Sequence, residues 1–161
     1  MRLCLLFVIL STFFTMTHSQ AQPATSVVSA YSLRLKPGQD LRQELERFVT
    51  TNRIEAGTML TGVGSLTDVT LRLANQDTHT TWRGHFEIVS LVGTLSTHGS
   101  HLHLAVSDST GRTLGGHLVN GCLIYTTAEL VIGVLPDVVY TREPDPTFGY
   151  RELMIRRKGR K

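Results

Sequence analysis

The chain has 161 residues, 41% of them hydrophobic and 18% charged, with a formal net charge of +3 at pH 7 and two cysteines. This length fits a single domain with one core. The cysteine count excludes an intrachain disulfide framework once Cys4 departs with the leading segment described next, because Cys122 then stands alone. The positive charge is unevenly placed: Arg156, Arg157, Lys158, Arg160 and Lys161 cluster at the end and leave the body of the domain slightly acidic. Such a tail contacts polyanions without sequence choice or stays solvated.

Residues 1–21 read as a secretory signal peptide. Arg2 supplies the positive start, residues 3–14 the apolar run, and Ser19-Gln20-Ala21 the small residues of a cleavage site after Ser19 or Ala21. The run is short for a membrane span, so the expectation is a secreted chain with no membrane attachment after cleavage, against an uncleaved anchor. Residues 22–30 are assigned to a leader, 31–155 to the domain and 156–161 to the basic tail. A first strand pattern covers residues 27–35 and stops at Lys36-Pro37-Gly38. Asp40 then caps a helix running to about Arg53, with Leu41, Leu45, Phe48 and Val49 as its core stripe.

Beyond the helix the pattern turns to β. Strands are predicted over 57–66 and 69–74, over a short edge at 80–82, and over 86–95. Further strands are predicted over 122–134, 138–142 and 150–155. One helix among many strands predicts an antiparallel α+β domain. The fourteen glycines, mostly within strands, suggest bulges and a strongly bent sheet.

The segment from His101 to His117 carries the chemistry. Alternation sends His101 and His103 to one face and Leu102, Leu104 and Val106 to the other. If residues 108–112 form a five-residue loop, His103 faces His117 and three imidazoles share one face. A loop one residue shorter would turn His117 away unless a bulge at Gly115-Gly116 restored it. Three neutral imidazoles suit zinc with an open fourth position, and also nickel, copper or iron. The alternative is a set of half-exposed histidines with no ligand. Ser107, Glu87 and Glu129 are second-shell candidates by strand position. Glu129 is preferred among them, because a carboxylate in Ala-Glu-Leu-Val-Ile would otherwise be costly to bury. His79, His85 and His98 fall in or beside turns and read as exposed. Cys122 reads as a buried small hydrophobe. No nucleophile elbow and no full phosphate-binding glycine fingerprint is present.

The ordered set Phe86-Glu-Ile-Val-Ser-Leu-Val-Gly-Thr-Leu95, Gly99-Ser-His-Leu-His103, Gly111-Arg-Thr-Leu-Gly-Gly-His117 and Ala128-Glu-Leu-Val-Ile132 resembles the plants-and-prokaryotes-conserved domain (PPC domain). The resemblance implies a strongly bent antiparallel sheet packed against one main helix, and a homotrimer. It likens His101, His103 and His117 to a metal site of stand-alone prokaryotic members, and Gly111-Arg112 to a family position at the hairpin tip, where Arg112 reads first as a solvated turn arginine and otherwise as an anion contact near the metal. Plant members follow AT-hook segments in nuclear DNA-binding proteins. That alternative gives a transcription-associated protein, but the hook core Arg-Gly-Arg-Pro is absent, so sequence-specific DNA binding is not expected. Two other expectations are a metal-holding protein with a small-molecule ligand and a purely structural trimeric module. The sequence names no reaction.

Overall fold

The protein is described by a computed structural model over residues 23–147 and 149–159. The signal-peptide assignment therefore lies outside the described residues. The elements are β1 (Ser29–Leu35), α1 (Leu41–Thr51), β2 (Gly57–Arg72), β3 (His79–Leu95), β4 (His101–Asp108), β5 (Thr113–Leu118), β6 (Leu123–Val134), β7 (Val138–Pro144) and β8 (Arg151–Arg157).

This corrects the expected fold class. Among the described residues the chain is mostly antiparallel β-sheet, 60% strand and 8% helical, and not an α+β domain with a main helix packed on the sheet. Two pairs of segments expected as separate strands fuse. Thr67-Asp68 does not turn the chain; β2 runs through it with a register shift between Leu66 and Asp68. The short edge at 80–82 joins the strand at 86–95 in the seventeen-residue β3. Bulges absorb the local breaks because each strand keeps a partner on both sides of them. The homotrimer implied by the resemblance finds no support in the single chain.

The six-stranded sheet has the order β1-β6-β2-β3-β4-β5, and β5 returns to pair with β2 through Leu71↔Leu118 and Arg72↔His117. The sheet therefore curls until its far edge meets its middle. Its concave side holds one core cluster that includes Leu66, Leu71, Leu95, Leu102, Leu104, Leu118 and Ile132. The eleven-residue α1 adds Leu41, Leu45 and Val49 to it. Asp40 caps the helix as expected, accepting from the amides of Arg42 at 2.9 Å and Gln43 at 3.1 Å. Its other carboxylate oxygen accepts from the Gly121 amide at 2.6 Å, tying the helix start to the turn before β6.

Strands β7 and β8 form a separate two-stranded sheet. The basic tail expected from residue 156 begins inside it: Arg156 and Arg157 belong to β8. Arg156 pairs with Glu143 at 2.7 Å, and Lys158 pairs with Glu55.

Two glycines let strands approach the histidines. A side chain at Gly93, whose φ is +138°, would collide with the carbonyl oxygen of His101. A Cβ at Gly116 would stand 2.8 Å from the carbonyl oxygen of Arg72, where β5 closes on β2. Only glycine accommodates both approaches without displacement.

Candidate metal centre

The hairpin of β4 and β5 has the register its sequence demands. Ser107 faces Thr113, His103 faces His117, and five residues separate the last rung's partners. The Asp108 side chain organises the loop: Oδ1 accepts from the Thr110 amide at 2.8 Å, the Thr110 hydroxyl at 2.6 Å and the Arg112 amide at 3.1 Å. These bonds, the Thr110 hydroxyl first, hold its carboxyl below the usual carboxylate range. Leu102, Leu104 and Val106 are buried in the core. Their burial fixes which face is outward, and so sets His101 and His103 side by side on it.

The three rings converge. Nε2 of His101 lies 3.1 Å from Nε2 of His103 and 3.2 Å from Nδ1 of His117. The rings of His101 and His117 stack with centroids 5.1 Å apart, and His103 stands edge-on to both. Two nitrogens bound tetrahedrally to one zinc ion lie roughly 3.3 Å apart, given bonds of about 2.0–2.1 Å. The observed separations fit that edge, so the donor set can hold one metal ion.

The protonation state suits ligation as well. Burial, followed by Arg72, His103 and His101, lowers His117 to about 4. Burial also lowers His101, reinforced by His103 and Arg142 and opposed by Glu152. At pH 7 the imidazoles of both are neutral, with a ring lone pair free to bind a cation.

The outer candidates fall elsewhere. Glu129 is exposed on β6, facing Arg34 on β1 and Val63 on β2, so the burial argument that favoured it does not apply. Glu87 faces Ser107, and Ser107 lies four residues along β4 from His103, about 13 Å of strand. Arg112 is exposed at the loop end of β5, five residues from His117 and so roughly 16 Å away. Among the described residues none of these four makes a hydrogen bond or ion pair with the histidines. His85 packs at a tilt against Tyr125 with centroids 4.4 Å apart, and His98 sits exposed in the turn before β4. Cys122 is buried, exchanging hydrogen bonds with the backbone of Thr70, and burial pushes its thiol up to about 11.

The charged neighbours that sequence reasoning missed are Arg72, Arg142 and Glu152. Together with His101 and His117 they line an open cleft of ≈ 780 Å³. Arg72 is the cross-strand partner of His117. Arg142 reaches from β7 to donate to the hydroxyl of Thr94 at 3.1 Å, and Thr94 faces His101 across β3 and β4. No local signal reports either arginine, because each arrives through a pairing or contact far along the chain.

A curled antiparallel sheet with three histidines on one outward hairpin face defines a small β domain with a metal-competent surface site. The family model for the Plants and Prokaryotes Conserved (PCC) domain matches residues 22–136, and the chain belongs to that family. It is 52% identical over 131 residues to the bifunctional protein GlmU of Synechococcus sp. (strain JA-3-3Ab), a match covering 81% of this chain and 21% of that one. The chain thus spans about a fifth of the length of the curated relatives it matches. A hypothetical protein from Salmonella enterica superposes with a TM-score of 0.83 at 47% identity, over 84% of this chain and 99% of its own. A metal-containing protein from Archaeoglobus fulgidus shares the fold with a TM-score of 0.72 at 22% identity, over 83% of this chain and 99% of its own.

Proposed function

We propose that this PCC-domain chain is an exported metal-binding protein in which His101, His103 and His117 hold a zinc ion. The convergence of three imidazole nitrogens, with neighbouring separations of 3.1 and 3.2 Å, carries the reading. An all-nitrogen donor set of three suits zinc and leaves a position open. The Archaeoglobus protein of the same fold, called metal-containing, gives a parallel. A bound zinc ion would act as a Lewis acid toward a group entering the cleft.

The chain's own residues do the rest. Leu102, Leu104 and Val106 anchor β4, so the rings of His101 and His103 cannot rotate away with the backbone. Gly116 lets β5 close on β2 and brings His117 to meet them. Export is supported by the charged start at Arg2 and the apolar run over 3–14. The DNA-binding alternative keeps a parallel in a putative DNA-binding protein from Bacteroides thetaiotaomicron of the same fold, whereas two of the tail's cations, Arg156 and Lys158, are paired with acidic side chains.

Elemental mass analysis of untagged protein tests the site. Close to one zinc per chain is expected, falling to background in the His101→Ala/His103→Ala/His117→Ala variant. Equal metal content in the two proteins would overturn the reading. N-terminal sequencing of protein recovered outside the producing cell tests export.

A further inference from the structure

We propose that the cleft beside the histidines binds a small organic anion, its carboxylate held between Arg72 and Arg142. The two guanidinium groups approach from different elements. Arg72 on β2 faces His117 directly, and Arg142 on β7 is fixed over Thr94, the partner of His101. Both side chains are half-buried. Each donates one N–H to a neutral oxygen: Arg72 to the Gln76 carbonyl at 3.4 Å, Arg142 to the Thr94 hydroxyl at 3.1 Å. Neither forms an ion pair with a carboxylate among the described residues. Arg42, which lines the same cleft, contrasts with them, for Glu46 holds it at 2.5 Å.

A half-buried guanidinium without a counter-ion keeps several directed donors unmatched, and a carboxylate satisfies two of them at once. The cleft volume of ≈ 780 Å³ lies within the range of about 300–1,000 Å³ usual for small-ligand sites. Its other walls choose the class. Glu46 and Glu152 also front the cleft alongside Arg42 and Arg151, so the walls beyond Arg72 and Arg142 carry no net charge, which suits a ligand with a single negative charge. Val119 and Tyr150 offer apolar surface to the body of a singly charged molecule. The proposal rests on the metal reading for its second anchor, the open side of the ion; the arginine anchor is independent of it.

The test is calorimetric titration of the untagged, zinc-loaded chain with benzoate, acetate and inorganic phosphate at low salt. Benzoate is expected to bind more tightly than phosphate. The Arg72→Gln/Arg142→Gln variant, whose new amide at 142 still offers a donor toward Thr94, is expected to weaken benzoate at least tenfold with zinc content unchanged. Arg112→Ala, at the distant hairpin tip, is expected to bind as the parent does. Benzoate binding unaffected by the double substitution, phosphate binding as tight as benzoate, or no binding of either carboxylate would each overturn the proposal. Should the chain take up no zinc while benzoate binding still depends on the two arginines, the metal reading fails and the anion proposal stands.

Discussion

Two hairpins face the same cleft and are held in place by different forces. The β4–β5 hairpin lies within the six-stranded sheet and buries Leu102, Leu104, Val106 and Leu118 in the core. The β7–β8 hairpin forms its own sheet, and every residue of β8 except Leu153 is exposed. Val138 at the start of β7 is its one buried side chain, and the rest of its attachment is polar: the Tyr140 amide to the Glu55 carbonyl at 2.9 Å, the Ser96 hydroxyl to the Tyr140 carbonyl at 3.1 Å, and Arg142 to Thr94. The histidines thus ride on the part of the molecule that hydrophobic burial fixes. Arg142 rides on a part held by one buried valine and otherwise by hydrogen bonds and ion pairs, which contribute less per contact and respond to salt. A rigid ligand set beside a more adjustable charged wall is the arrangement that results.

The sharpest way to break this comparison is to hollow the core beneath the histidines. Leu104→Ala removes a side chain 1% exposed and is expected to cost about 2–5 kcal/mol in urea unfolding. Met154→Ala on β8, where the side chain is 42% exposed, is expected to change stability by no more than about 0.5 kcal/mol. Comparable losses in the two would mean that the hairpins are equally dependent on burial.

Next in size is the closure of β5 on β2. Gly116→Ala places a methyl group 2.8 Å from the Arg72 carbonyl oxygen and forces the strands apart beside the Arg72–His117 pair. A loss of about 1–3 kcal/mol is expected, as for other overpacked sites. Zinc affinity should fall with it, because His117 moves while His101 and His103 stay. A variant that loses stability but keeps zinc affinity would show that the closure does not position the ligand set.

Acid provides a smaller effect that is confined to the histidine hairpin. His117 titrates near 6.5 when unfolded and at about 4 when folded, so between those values the unfolded chain takes up a proton that the folded chain refuses. The stability contributed by neutral His117 is therefore fully present above pH 6.5 and is lost as pH falls toward 4. Solvent screening at this partly exposed ring keeps the effect below that of the glycine substitution. Unfolding of metal-free protein across this range checks it, and His117→Asn should flatten the profile. An unchanged slope in that variant would place the acid sensitivity elsewhere.

What could be read from the sequence divides along the same line. The β4–β5 hairpin was legible because its determinants are local: alternation at Leu102, Leu104 and Val106, and loop chemistry at Asp108, fix the register that joins His103 to His117. The length of β2 was not, because Thr67-Asp68 has the composition of a turn and only its sheet partners keep it in the strand. Arg72 and Arg142 were invisible for a related reason. Each reaches the site through a contact between distant segments, β2 with β5 and β7 with β3. Strand position nominated Glu129, Glu87 and Ser107, and the family resemblance nominated Arg112; neither gives distance across a curled sheet.

The smallest predicted effect concerns the end of the chain, where composition suggested a free cationic tail. Arg156→Ala removes the 2.7 Å pair with Glu143, yet the two side chains are 64% and 46% exposed. Water screens such a pair, and its loss is expected to change stability by about 0–1 kcal/mol, diminishing as salt rises. Its informative consequence lies in the cleft. Glu143 is the immediate neighbour of Arg142 on β7, so if the β7–β8 hairpin is held by polar contacts, freeing Glu143 should weaken benzoate binding while zinc content stays fixed. If instead both ligands respond alike, the two hairpins move as one body and the separation between rigid histidines and adjustable arginines does not hold.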